Sequence, residues 1–125
     1  MDLNQVTLPS YDLARSVAFY QTLGLTLVVD SPDYARLACP EGTATLSITT
    51  KDRVRVGGDA VVYFECADLD ARVEALRSEG IEFEHEPRDE PWRWREARLR
   101  DPAGNQLCLY HAGADRKSPP WSVNT

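Results

Sequence analysis

The 125-residue sequence has 14 Lys and Arg against 20 Asp and Glu, which gives a formal net charge of −6, and 42% of its residues are hydrophobic. This size and apolar content suit one globular domain that buries its core without disulfide bonds. The acidic balance argues against a nucleic-acid partner, and the sequence has no apolar run near the length of about 18 residues that a membrane helix needs. The three cysteines, without CxxC spacing, and the lack of a secretion signal lead us to expect a reduced, cytoplasmic protein.

The first half of the chain has the pattern of a strand, a helix and three further strands. Alternating side chains predict strands in four segments: LNQVTL from Leu3, LTLVVD from Leu25, YARLAC from Tyr34 and TATLSIT from Thr43. Between the first two strands, apolar residues recur at helical spacing after Asp12, which suits the N-cap, and Gly24 suits the left-handed position at the helix end. The predicted order is therefore βαβββ.

The second half repeats this pattern. The segment DLARSVAFYQTLGL from Asp12 matches DLDARVEALRSEGI from Asp68, so the second helix is also predicted to have an Asp cap, and ARLACPEG matches ARLRDPAG downstream. Strands are predicted in four segments: AVVYFEC from Ala60, FEH from Phe83, WREARLR from Trp94 and NQLCLYH from Asn105. The repeats define two modules of about 1–52 and 59–112, with RVRV at 53–56 as a linker and a Pro-rich tail at 113–125.

Two such modules make an α+β protein in which each sheet has one face covered by its helix. The uncovered faces are expected to associate and to form an open barrel or cup. The segments SVAFYQTLGL and DPAGNQLCLY and the paired modules resemble the vicinal oxygen chelate superfamily, which includes glyoxalase I, extradiol dioxygenases, and fosfomycin- and bleomycin-resistance proteins. This resemblance, from about Leu3 to His111, implies a single glyoxalase-like domain over residues 1–125, a small-molecule site in the cup and a homodimer.

Metal-dependent members of that superfamily hold a divalent ion with four inward side chains. The resemblance carries these positions onto Gln5, Ser47, Val61 and Cys108. Of these, Gln5 alone is a plausible ligand of a hard divalent ion. The set has no charged oxygen or imidazole, which are the ligands that such ions need. We therefore expect no metal and no other cofactor, while a three-ligand site made by Gln5, Glu65 and Cys108 stays open as an alternative.

The predicted ligand-binding residues are the side chains expected to face the cup: Gln5, Ser47, Tyr63, Glu65, Trp92, Trp94, Cys108 and Tyr110. The two tryptophans would stack on a flat or cationic ligand, or else pack at a dimer contact. Glu65 is the best candidate for a catalytic group or a cation anchor, since an inward carboxylate has a raised pKa unless it is paired, and a salt bridge with Arg98 is the structural alternative. Cys108 is expected to be a small filler, because no histidine shares its face.

These expectations predict a metal-independent small-molecule-binding protein of the bleomycin-resistance type that sequesters an antibiotic or a toxin. The alternative is a glyoxalase-like lyase, isomerase or dioxygenase that uses a divalent metal, or Glu65 as acid and base. A third hypothesis is a module whose cup is filled by its own side chains. In the tail, Trp121 is expected to dock in a groove of its own or of a partner subunit.

Overall fold

The computed structural model describes residues 1–52 and 58–123, so the linker predicted at 53–56 lies outside the described residues. The chain divides into two compact units. The first comprises Met1–Ala60 with Arg100–Gln106, and the second comprises Val61–Leu99 with Leu107–Thr125.

The first unit has the predicted βαβββ order. Its elements are β1 (Gln5–Ser10), α1 (Leu13–Thr22), β2 (Thr26–Ser31), β3 (Tyr34–Ala38) and β4 (Thr45–Thr50). The sheet order is β1-β4-β3-β2, with β1 parallel to β4 and the other two pairs antiparallel. Helix α1 lies against β2, β3 and β4 and covers one face of this sheet.

Helix α1 begins and ends where the sequence predicts. Asp12 is the N-cap, and its Oδ1 accepts a hydrogen bond of 3.1 Å from the backbone N–H of Arg15. After the C-cap Leu23, Gly24 adopts a φ of 106°, a conformation that costs a glycine little. The helix buries Tyr20 completely against a sheet whose buried residues include Leu37, Leu46 and Ile48.

The turn of the last hairpin, DPAGN at 101–105, belongs to the first unit. Its buried Asp101 accepts hydrogen bonds from the backbone N–H groups of Ala103 and Asn105, both at 2.9 Å, and from Asn105 Nδ2 at 2.8 Å. The hydroxyl of Tyr20 in α1 donates to Asp101 Oδ2 at 2.6 Å, and burial, together with that carboxylate, raises the pKa of Tyr20. Asp101 therefore ties the turn to the helix of this unit.

The second unit has the same order with one very short strand. Its elements are β5 (Val61–Glu65), α2 (Leu69–Ser78), β6 (Arg88–Asp89), β7 (Arg95–Arg100) and β8 (Gln106–His111), followed by a 3₁₀ helix at Gly113–Arg116. The sheet order is β5-β8-β7-β6. Over residues 1–52 and 58–123, no helix is long and apolar enough to cross a membrane.

Two local predictions for the second unit are wrong. The strand expected at Phe83–His85 is absent from the described residues, and the second strand of this module is β6 instead. Like charges at Glu82, Glu84 and Glu86 alternate onto one side of that segment, and Pro87, which follows, has no N–H to pair, so both features disfavour a regular strand there.

The predicted side-chain cap of α2 is also not formed in the described structure. Asp68 is the N-cap residue, but its side chain makes no capping hydrogen bond, and its carbonyl accepts the helical bond from Arg72 N at 3.0 Å. Asp70 provides the negative charge in the first turn of the helix. Its carboxylate accepts two hydrogen bonds, of 2.8 and 3.0 Å, from Arg95 on β7, which stabilise the helix against the sheet.

Candidate functional site

The sheet of the second unit has two chemically different faces. The Asp70–Arg95 pair shows that odd-numbered positions of β7 lie on the side of α2, and this side carries the buried apolar residues Ala97, Leu99, Leu107 and Leu109. Strand alternation puts the even-numbered residues of β7 and β8 on the other side. We call this other side the aromatic face and define it by Tyr63, Trp94, Glu96, Arg98, Cys108 and Tyr110.

Three predicted site residues form a ring cluster on the aromatic face. Trp94 stacks on Tyr110 with 4.6 Å between ring centroids and 23° between ring planes. Tyr63 meets both rings edge-on, at 5.8 Å from Trp94 and 5.5 Å from Tyr110. Tyr110 is 6% exposed and Tyr63 is 41% exposed, so the cluster has one buried ring and one ring that solvent can reach.

A buried carboxylate that the sequence analysis did not single out lies on the same face. Glu96 is 1% exposed, and its Oε2 accepts a 2.7 Å hydrogen bond from the indole Nε1 of Trp92. Its Oε1 accepts hydrogen bonds from Arg98 at 3.2 and 3.3 Å. Arg98 Nη2 also donates to the hydroxyl of Tyr63 at 3.1 Å, and the guanidinium carbon lies 5.8 Å from the Tyr63 ring centroid. Glu96 therefore links Trp92 to the ring cluster through Arg98.

Trp92 is held in a tight loop between β6 and β7. The loop is closed by hydrogen bonds from Glu90 N to Trp94 O at 2.8 Å and from Arg93 N to Glu90 O at 3.0 Å. Arg93 has a φ of 69°, in the left-handed region where a short hairpin loop usually has glycine. Its Nε lies 3.1 Å from Asp115 Oδ2, so the loop is tied to the 3₁₀ helix at the start of the tail.

Glu65 is bonded to the segment that follows β8. Its Oε2 accepts hydrogen bonds from the backbone N–H groups of Ala112 at 2.7 Å and Gly113 at 2.8 Å, and its carboxylate oxygens lie 3.8 Å from His111 Nδ1 and from Arg116 Nε. Burial acts to raise the pKa of Glu65, but the two backbone bonds, together with His111 and Arg116, hold it below its usual value. Among the described residues, Glu65 has these partners in place of Arg98, whose salt bridge with Glu65 was the structural alternative.

Cys108 and Tyr110 are both poorly ionised in this environment. Cys108 is fully buried, and burial, with the nearby Glu96 carboxylate, raises the pKa of its thiol to about 12. Burial and the Glu65 carboxylate likewise raise the pKa of Tyr110. A thiol that stays protonated at neutral pH is a weak nucleophile and a weak metal ligand.

In the first unit, Gln5 and Ser47 are brought together in a polar network. Gln5 Nε2 donates to Ser47 Oγ at 2.7 Å, and Gln5 Oε1 accepts from the hydroxyl of Thr45. Ser47 Oγ lies 2.5 Å from the hydroxyl of Tyr34, which also accepts from Arg36 Nε at 3.0 Å. The hydrogen bond with Ser47 is the main cause of a lowered pKa at Tyr34, with a smaller contribution from Arg36. This network presents hydroxyl, amide and guanidinium groups on one sheet face.

The chemistry of the four positions carried over from metal-dependent proteins does not fit a divalent cation. Gln5 and Ser47 are neutral and hydrogen-bonded to each other, Val61 has no donor atom, and the Cys108 thiol is kept protonated by burial. Across the described ranges 1–52 and 58–123, no three His, Cys, Asp or Glu side chains gather as a group that could hold a metal ion.

The comparisons with solved structures agree with this fold. A glyoxalase/bleomycin resistance protein/dioxygenase from Nocardioides has a TM-score of 0.72 and 26% identity, over 90% of this chain and 83% of that one. A bleomycin-binding protein complexed with bleomycin has a TM-score of 0.72 and 23% identity, over 89% and 98%. A lactoylglutathione lyase from Agrobacterium tumefaciens has a TM-score of 0.73 and 21% identity, over 88% and 92%. The predicted α+β fold class of two βαβββ modules is thereby confirmed.

The sequence comparisons establish the family. Residues 2–109 match the family model of the Glyoxalase/Bleomycin resistance protein/Dioxygenase superfamily. An uncharacterized protein of Mycolicibacterium smegmatis (strain ATCC 700084 / mc(2)155) is 31% identical over 110 residues, which is 87% of this chain and 92% of that protein. The resemblance inferred from the sequence is thus confirmed, and the chain belongs to the Glyoxalase/Bleomycin resistance protein/Dioxygenase superfamily.

Proposed function

We propose that this protein binds a flat aromatic molecule in the cytoplasm without a metal ion, and that it holds the ligand on the aromatic face of its second unit. Its role in this proposal is to sequester an antibiotic or a toxin. The observation that carries the proposal is the aromatic face, where Tyr63 is 41% exposed and the neighbouring Trp92 is 44% exposed. Both rings are bonded to buried or paired polar groups, so each offers a defined surface for stacking.

Charge favours a cationic or neutral ligand. The chain has a net charge of −6, which attracts cations and repels polyanions. Indole and phenol rings attract a cation over their faces by about 0.5 to 2 kcal/mol, depending on exposure. A bleomycin-binding protein shares this fold, which makes bleomycin a reasonable first probe.

Metal independence is supported by donor chemistry. The set Gln5, Ser47, Val61 and Cys108 offers no carboxylate or imidazole to a divalent ion. Elemental analysis of protein purified without chelators tests this part of the proposal. Stoichiometric zinc, nickel, manganese or iron would contradict it and would favour a lyase, isomerase or dioxygenase.

The enzyme alternative that uses Glu65 as acid and base has weaker support. A general base works best with a pKa near the operating pH, whereas the two backbone hydrogen bonds to Glu65 hold its pKa below the usual value. We therefore assign Glu65 to holding the segment after β8 in place rather than to moving a proton.

Thermal-shift measurements test ligand binding directly. We expect bleomycin or planar aromatic cations such as ethidium to raise the melting temperature, because a ligand at 100 times its Kd adds about 2.7 kcal/mol of stability. Spermidine, an aliphatic cation, should have no comparable effect. Tyr63→Ala should reduce the ligand-induced shift, while Trp121→Ala, a change at a tail residue that is 57% exposed, should leave it unchanged. If no aromatic compound stabilises the protein, the proposal is wrong.

We also propose that the protein is a homodimer. Each four-stranded sheet has two edge strands, β1 and β2 in the first and β5 and β6 in the second, and an edge strand is a common place for a second copy to associate. Sedimentation should give twice the chain mass of 14.0 kDa, and a mass near that of one chain would contradict the dimer.

A further inference from the structure

Burial of the Glu96 carboxylate costs free energy. A carboxylate that is 1% exposed loses its hydration and must recover that loss through hydrogen bonds and a paired charge. Its two oxygens are bonded to Trp92 and Arg98, and neither of these residues is buried. The fully buried Cys108 is a further hydrogen-bond partner of Glu96, so the carboxylate joins the core of the sheet to side chains at its surface.

The contacts of Glu96 reach both accessible rings of the site. Oε2 accepts the indole N–H of Trp92 at 2.7 Å, which fixes the rotation of that ring. Oε1 accepts from Arg98, and Arg98 Nη2 donates to the hydroxyl of Tyr63 at 3.1 Å. One carboxylate therefore restrains Trp92 directly and Tyr63 through one intermediate residue.

We propose that Glu96 is the positioning residue of the aromatic face, which holds Trp92 and Tyr63 ready to receive a planar ligand. Its effect on binding rests on the proposed function, whereas its effect on the rings does not. Side chains that are already ordered lose less rotational freedom when a ligand arrives, so a fixed pair of rings binds more tightly than a mobile pair. Glu96 itself is 1% exposed and is not required to touch the ligand.

The backbone beside Trp92 supports this role. Arg93 adopts a left-handed conformation with a φ of 69° although it is not a glycine, and its side chain is held 3.1 Å from Asp115. Strained residues persist where the surrounding structure fixes them, and they are frequent at ligand sites. The ring of Trp92 is thus fixed by its neighbour through the backbone and by Glu96 through the indole nitrogen.

The test compares Glu96→Gln with Glu86→Gln, a matched control that makes the same chemical change at a carboxylate that is 74% exposed and paired with Arg77. The indole N–H signals of the three tryptophans are followed by nitrogen-edited NMR, and binding of ethidium is measured by fluorescence. In the wild-type protein the Trp92 indole N–H should exchange with solvent at least about tenfold more slowly than that of Trp121. A glutamine side chain has one acceptor oxygen where glutamate has two, so Glu96→Gln should lose the bond to Trp92 or the bond to Arg98. It should therefore lose the Trp92 protection or release the Tyr63 ring, and in either case weaken ethidium binding about tenfold, while Glu86→Gln changes neither property.

Two results would overturn the inference. One is a folded Glu96→Gln variant that keeps both the Trp92 protection and the ethidium affinity of the wild type. The other, which needs no variant to fold, is a wild-type Trp92 indole N–H that exchanges as fast as that of Trp121. If ethidium and the other aromatic probes fail to bind the wild-type protein, the proposed function is wrong, and the indole exchange rates still decide whether Glu96 holds Trp92.

Discussion

Replacing Tyr20 with phenylalanine should destabilise the protein through the loss of one buried hydrogen bond. The hydroxyl of Tyr20 donates to Asp101 Oδ2 at 2.6 Å, and the two residues are 0% and 5% exposed. Hydrogen bonds to charged groups contribute about 1.5 to 3 kcal/mol, so we expect the free energy of unfolding to fall by about that amount. Phenylalanine keeps the ring, which limits the cost of the cavity.

Urea denaturation at pH 7 measures this loss. With an m value of about 1.5 kcal/mol/M, the midpoint should fall by about 1 to 2 M while m stays constant. Tyr11→Phe is the matched control, because its hydroxyl donates at 3.1 Å to the carbonyl of Pro102 in the same turn, a neutral acceptor. The control should lose only about 0.5 to 1.5 kcal/mol. Equal midpoints for Tyr20→Phe and the wild type would refute the view that Asp101 ties this turn to α1.

Three further predictions concern the second unit. Arg93→Gly should be more stable than Arg93→Ala by about 1 kcal/mol in urea denaturation. Both variants lose the ion pair with Asp115, but only glycine adopts the left-handed backbone conformation without steric strain. Equal stabilities of the two variants would contradict this. Glu65→Gln should melt at a lower temperature than the wild type at pH 7, and the two melting temperatures should converge on acidification. The pKa of Glu65 is lower in the folded than in the unfolded state, so the ionised carboxylate stabilises the protein above its ordinary pKa of about 4.3. This stabilisation is lost as the pH falls through the pKa of the folded state. A difference in calorimetric melting temperature that does not change with pH would argue against that linkage. Cys108, with its thiol pKa raised to about 12 by burial, should react with a thiol reagent at pH 8 only as fast as the protein unfolds, and rapid reaction in the native state would show that the residue is accessible.

Features with local sequence signals could be predicted well. The Asp12 cap and the Gly24 end of α1 follow from the conformations that these residue types prefer. The DPAGN turn likewise has Gly104 at a φ of 85°, as its composition suggests. Because these signals occur twice in the chain, the βαβββ order and the superfamily can be recognised from the sequence alone.

Features that depend on pairing between distant segments were predicted less well. The segment at Phe83–His85 alternates like a strand, and Glu84 N donates a 2.8 Å hydrogen bond to Arg98 O, but the strand that pairs with β7 is β6, nearer the loop. Short strands are decided by their partners rather than by their own composition. The same limit applies to Asp68, whose suitable side chain is not used as a cap in the described structure.

The sequence predicts Tyr63, Trp94 and Tyr110 as ligand-binding residues. The structure brings their rings into one cluster, and ligand binding by them stays a prediction. Glu96 was not predicted as a site residue. It lies on β7 two residues after Trp94 and two before Arg98, so strand alternation places it on the same face as both. A carboxylate next to Arg95 and two residues before Arg98 is typical of a surface group. Its burial becomes visible only when its partners, Trp92 and Arg98, are located in space.

The central claim, aromatic recognition without a metal ion, is tested most directly by calorimetric titration of the compound that gives the largest thermal shift. The titration is made before and after exhaustive dialysis against EDTA. Because the predicted site offers no charged ligand set to a divalent ion, we expect the same dissociation constant in both titrations, within about twofold. A loss of affinity of more than about tenfold after EDTA treatment, restored by adding zinc, nickel, manganese or iron, would contradict the account.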